Sequence, residues 1–146
     1  MQKIILFTVI MLLSVLYKVN AQGVAAIKNS SEWHNRGSKP GNYEMGSVAG
    51  AEKNNQTVYK IKSIQSKTNG FGTMMKTIQP DEFLGKTVKM SAYVKSENVK
   101  SWAGLWMRVD YYTAAVLAFD NMQRRPIKGT KDWTKYEVVL YVPTEA

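Results

Sequence analysis

From residue 42 onward the chain alternates apolar and polar positions with a period of two, and helical periodicity is nearly absent. Val88, Met90, Ala92 and Val94 fall on one side of an extended segment, with Lys89, Ser91, Tyr93 and Lys95 on the other. Tyr136, Val138, Leu140 and Val142 repeat this against Lys135, Glu137, Val139 and Tyr141. A strand that buries one face leaves the other in water, so each set reads as a half-buried strand. Gly, Asn, Ser and Pro interrupt the pattern at short intervals and predict strands at 42–48, 57–64, 72–78, 87–95, 102–111, 116–121 and 134–142. Short strands at this spacing predict an all-β fold, an antiparallel β-sandwich. Residues 81–85 after Pro80 predict one helical turn that closes at Gly85.

The start of the chain follows another pattern. Lys3 precedes an apolar run from Ile4 to Tyr17, and Val19, Asn20 and Ala21 then supply small residues before Gln22. That order predicts a signal peptide over residues 1–21 and an exported, periplasmic or extracellular product. The run is too short to span a bilayer comfortably, so no membrane span is expected after cleavage. Residues 22–41 read as a loose lead-in with one apolar contact at Trp33, and 42–146 as a single β-sandwich domain. Residues 143–146 open a turn after the last strand, which predicts a sandwich lacking its final strands and only marginally folded.

The chain contains no cysteine, so the domain must be held by its core alone. The formal net charge is +9, yet the lysines are scattered in ones and twos. Scattered strand lysines solvate a sheet face and discourage edge pairing, whereas a nucleic-acid footprint would cluster them; no nucleic-acid partner is expected.

The densest chemistry lies in WAGLWMRVD, residues 102–110. Ala103, Leu105, Met107 and Val109 take one side of that strand; Trp102, Gly104, Trp106, Arg108 and Asp110 take the other. Two indoles, a guanidinium and a carboxylate on a wet face are the side chains of a recognition surface. On a continuous strand the two indoles would stand about 13 Å apart, a spacing that suits successive sugar rings. The competing reading buries both tryptophans against a flanking segment. The stretch 118–130 (AFDNMQRRPIKGT) is comparably rich in planar polar groups. It would form either a rim of the same site or a tight connection in which Asp120 and Asn121 cap backbone amides.

Catalytic constellations are missing from the sequence. His34 is the one histidine, which leaves neither a transition-metal set nor a Ser–His–acid triad, and there is no Gly-x-Ser-x-Gly elbow. Asp110 and Asp120 are the one carboxylate pair near aromatics, and Arg108 beside Asp110 favours an ion pair over a general acid. GFG at 70–72 is too short for a phosphate loop. No cofactor is expected. A structural calcium ion held by backbone oxygens would leave little trace, with Asp81, Asp120 and Asn121 as candidates.

Several blocks occur in an order that resembles a known family: GFGTMMKTI (70–78), VKMSAYVKSENV (88–99), WAGLWMRVD, AFDNMQRRPIKGT and DWTKYEVVLYVP (132–143). They are similar to a bacterial galactose-binding-like jelly roll of the carbohydrate-binding-module type. That domain stands alone in exported proteins or is attached to other modules, including AraC-type transcriptional regulators. The resemblance covers about Tyr43 to Pro143 and implies the jelly-roll fold without fixing a ligand. Two features depart from it: members continue for about two more strands, and they place glycines in the hairpin where this chain has Tyr111 to Ala115. The regulator role is not carried over, since the chain has an export signal and no helix-turn-helix segment.

The expectation is therefore an exported, non-enzymatic binding module for carbohydrate. Tyr93, Trp102 and Trp106 would stack on the ligand while Arg108, Asp110 and Asp120 hydrogen-bond its hydroxyls. A protein-interaction or structural β-sandwich whose aromatic face packs on a partner chain is the alternative, and a hydrolase accessory or catalytic domain is third.

Overall fold

The computed structural model describes residues 5–8 and 33–146. The expected cleavage site and most of the lead-in lie outside the described residues. The strands run in chain order as β1 (Ile5–Thr8), β2 (His34–Arg36), β3 (Tyr43–Glu52), β4 (Thr57–Ser63), β5 (Thr73–Ile78), β6 (Lys86–Ala103), β7 (Trp106–Asp110), β8 (Val116–Asp120) and β9 (Ile127–Val142). A short 3-10 turn at Pro40–Asn42 is the one helical element among the described residues. No described helix is long and apolar enough to cross a membrane. The fold is all-β, and every pairing is antiparallel.

Five strands form one sheet in the order β2-β5-β1-β7-β8, while β3 pairs with β4 and β6 with β9. The alternation read from the sequence decides what faces inward. Ala92 and Val94 from β6 and Val138 from β9 meet Leu105, Met107, Met122 and Ile127 in one buried cluster. The long two-stranded β6–β9 sheet therefore packs against the five-stranded sheet as a sandwich. Leu105, Met107 and Val138 are fully buried, each contributing about 1.5–3 kcal/mol of hydrophobic stabilisation. Val109, Val142 and Ala146 form a second cluster with Phe83 and Leu84. Those two side chains come from the turn after Pro80, which closes at Gly85 with φ +69° as its sequence predicts.

Two boundaries differ from the sequence reading. Residues 102–110 are not one strand: β6 ends at Ala103, and β7 begins at Trp106. Between them Gly104 and Leu105 carry the chain from one sheet to the other. Glycine lets this crossing lie close to the turn after β8, where a Cβ on residue 104 would sit 3.0 Å from both the Asn121 carbonyl and the Met122 Cβ. The alternation survives the break, so Leu105, Met107 and Val109 stay inside while Trp102 and Trp106 stay half-exposed. The β6–β9 pair is also longer than the expected 87–95 and 134–142, with register shifts between Val94 and Ala103 that bend it.

The N-terminal apolar run supplies a further strand. The backbone of Ile5–Thr8 lies between β5 and β7, with Leu6 level with Thr77 and Arg108, and Thr8 level with Met75 and Trp106. Expected leader residues thus occupy an interior position of the larger sheet.

Candidate functional site

A cleft of about 350 Å³ opens where β5, β7 and β8 meet the end of β6. Its lining is Gly70, Phe71, Gly72, Thr73, Trp102, Trp106, Arg108, Phe119 and Asn121. Each side chain arrives by a traceable route. Trp106 and Arg108 share the outer face of β7 because Met107 and Val109 take the core face. Phe119 stands directly across from Arg108 in the β7–β8 ladder, and its ring meets the Trp106 indole edge-on at 5.9 Å between centroids. The Trp106 indole N–H donates to Thr73 Oγ1 at 3.0 Å, which ties β7 to the start of β5. Trp102 reaches the same cleft from the end of β6.

The opposite wall is a loop held from behind. The Phe71 amide donates to Ser38 Oγ at 3.1 Å, and its carbonyl accepts the Lys39 amide at 3.0 Å. Tyr43 donates its hydroxyl to the Gly70 carbonyl at 3.3 Å. A Cβ on Gly72 would stand 2.6 Å from the Tyr43 ring, so only glycine lets this loop lie on that tyrosine. The loop is fixed while the Phe71 side chain stays 49% exposed. Two half-exposed phenylalanines and two half-buried tryptophans around one concavity form an apolar recognition surface set in advance of any ligand.

The polar groups divide into engaged and free. Arg108 uses Nε on Asp110, at 2.9 Å from Oδ1 and 3.1 Å from Oδ2. Asp110 is only 6% exposed and does not line the cleft, so it fixes the guanidinium from beside the site. Asn121 Oδ1 accepts the Gln123 amide at 3.0 Å. Trp102 Nε1 is buried without a hydrogen-bond partner.

The remaining expected site residues lie elsewhere. Tyr93 is on β6, outside the cleft, with the Lys53 ammonium 5.6 Å from its ring centroid and the same ammonium 6.0 Å from Trp133. Asp120 does not line the cleft either. Its Oδ1 accepts the Met122 amide at 2.8 Å, and both carboxylate oxygens take Arg125 Nη atoms, at 3.1 and 2.6 Å. Partial burial pushes the Asp120 carboxyl upward, but the Arg125 guanidinium and the Met122 amide outweigh it and hold the pKa below the ordinary aspartate value. Arg125 also donates to the Glu137 carbonyl at 3.2 Å, so Asp120 anchors the turn after β8 to β9. In this way Asp120 positions Phe119 and Asn121 on either side of it. His34 is exposed on β2, and among the described residues no three His, Cys, Asp or Glu side chains gather as a metal site.

The sequence reading missed Phe71 and Thr73. The GFG triplet reads as the lead into the strand at 72–78 and as too short for a phosphate loop, and its closeness to Trp106 is a tertiary fact with no local signal. Phe119 and Asn121 fell inside the stretch considered as a rim.

A protein of Bacillus subtilis (strain 168), described as the uncharacterized HTH-type transcriptional regulator YbfP, is 39% identical to this chain over 117 residues. The match takes in 80% of this chain and 40% of that protein, so the chain spans well under half of the relative's length. No family model and no solved structure matches the chain.

Proposed function

We propose that this domain is an exported, non-catalytic binding module that holds a carbohydrate in the Trp102–Trp106 cleft. The observation that carries the reading is the convergence of Phe71, Trp102, Trp106 and Phe119 on one open concavity with Arg108 and Asn121 at its surface. Sugar rings present apolar C–H faces and polar edges, which suits aromatic walls interrupted by a few hydrogen-bonding groups. Arg108 is the sole ionisable residue in the lining, which favours binding over acid–base chemistry. The apolar run from Ile4 to Tyr17 supports export.

A protein partner seated on the aromatic face is the competing occupant. Affinity electrophoresis through gels containing different polysaccharides separates the two. Retardation that disappears in Trp102→Ala and Trp106→Ala supports the carbohydrate reading; identical mobility of wild type and both variants in every gel removes it.

A further inference from the structure

The hydrogen-bonding groups left free in the cleft are one-sided. Thr73 Oγ1 already accepts the Trp106 N–H, and its hydroxyl is directed to the Met74 carbonyl at 3.5 Å. Asn121 Oδ1 is engaged by Gln123. What remains on the lining side chains is a set of donors: the two Nη groups of Arg108 and the Asn121 amide nitrogen. Among the described residues Arg108 spends only Nε, and it spends it on Asp110. That contact fixes the guanidinium plane and leaves its terminal Nη pair free. Two parallel N–H groups at that spacing match the two oxygens of a carboxylate.

A neutral sugar hydroxyl both donates and accepts, so a cleft built to read hydroxyls alone would offer acceptors as well as donors. This one offers a cation and a further donor, its two side-chain acceptors each already hold a hydrogen bond, and among the described residues no acidic side chain lines it to repel an anion. Building on the carbohydrate reading above, we infer that the cleft selects an acidic saccharide, a uronate whose ring lies against Trp102 and Trp106 and whose carboxylate is gripped by the Nη pair of Arg108. Asp110 is then a positioning residue. It turns the fork toward the ligand without touching it, and its own charge is spent on Nε.

Calorimetric titration of the full chain with oligogalacturonate and oligoglucuronate, each beside its carboxyl-reduced neutral counterpart, tests the inference. The charged form should bind on the order of tenfold to a hundredfold tighter than the neutral form, the range expected for a charge-assisted bidentate contact. The preference should shrink as salt is raised. Arg108→Gln should abolish the preference, and Arg108→Lys, which keeps the charge without the fork and leaves a partner for Asp110, should retain only part of it. Equal affinity of wild type for the charged and neutral forms overturns the uronate inference and leaves the carbohydrate reading standing. Absence of binding to either form of both saccharides, when other glycans retard the protein in gels, also overturns it. If no glycan binds at all, both readings fall together.

Discussion

The Trp106 indole and the Thr73 hydroxyl, joined at 3.0 Å, fasten the first residue of β5 to the first residue of β7. Thr73 is 2% exposed, so its hydroxyl has no water to fall back on. Thr73→Val preserves shape and removes the acceptor. It should cost about 1 kcal/mol or somewhat more, because a part-buried indole N–H is left unpaired. Thermal melts measure the cost, and Trp106 should also become more mobile, with ligand affinity falling in parallel.

Gly72 is set by a second close approach. Gly72→Ala places a methyl group 2.6 Å from the Tyr43 ring, and neither the loop nor the ring moves without breaking the Tyr43–Gly70 hydrogen bond. Overpacking of this kind costs about 1–3 kcal/mol. The combination Gly72→Ala with Tyr43→Ala should recover part of the stability lost by Gly72→Ala when compared with Tyr43→Ala alone, since the clash is then gone. A denaturant melt of all three variants reads the coupling.

The sandwich core makes a simpler prediction. Leu105 is fully buried at the crossing between the two sheets, and truncating it leaves a hole that the crossing cannot close. Leu105→Ala should lose about 2–5 kcal/mol in a denaturant melt. The exposed Val139→Ala on β9, by comparison, should change the midpoint little.

Acid should loosen the turn after β8. The folded-state pKa of Asp120 lies below its ordinary value. Its contribution to stability is therefore complete above the unfolded carboxylate pKa and is lost as pH falls through the folded one. Midpoints measured from neutral pH to below about pH 4 should decline more steeply for wild type than for Asp120→Asn. The Asn variant is expected to start lower at neutral pH, since Arg125 loses its ionic partner.

Much of the fold was legible because alternation is a local signal. The pattern of β6 and β9 gave Val94 and Val138 as core residues directly, and both are buried. The split at Gly104 was not legible, since a glycine on the polar side keeps the period intact and the close approach it permits is to Asn121 and Met122, far along the chain. Half of the cleft was legible for the same reason: Trp102, Trp106 and Arg108 share one parity. Phe71 and Thr73 join them only through the sheet, and Tyr93, though of suitable type, lies on β6 outside the cleft. Asp110 and Asp120 looked like ligand contacts because charge next to aromatics suggests them; in three dimensions each is taken by an arginine.

The N-terminal run carries two competing demands. Export would remove Ile5–Thr8, whereas those residues join β5 to β7 in the sheet. A chain beginning at Gln22 should therefore show faster amide exchange along β5 and β7 than the full chain, with the β6–β9 sheet changed least. Equal protection in both chains would mean that β1 contributes no pairing of consequence.

The central claim is that the Trp102–Trp106 cleft is a binding site. The chain has four tryptophans, so its indole N–H groups give a small, assignable set of NMR signals. On titration with an oligosaccharide that retards the protein in gels, the Trp102 signal should move furthest, because its ring lies against the ligand. Trp106 should follow, with Trp33 and Trp133 nearly still. Shifts confined to Trp33 or Trp133, with Trp102 and Trp106 unmoved at saturation, would contradict the account.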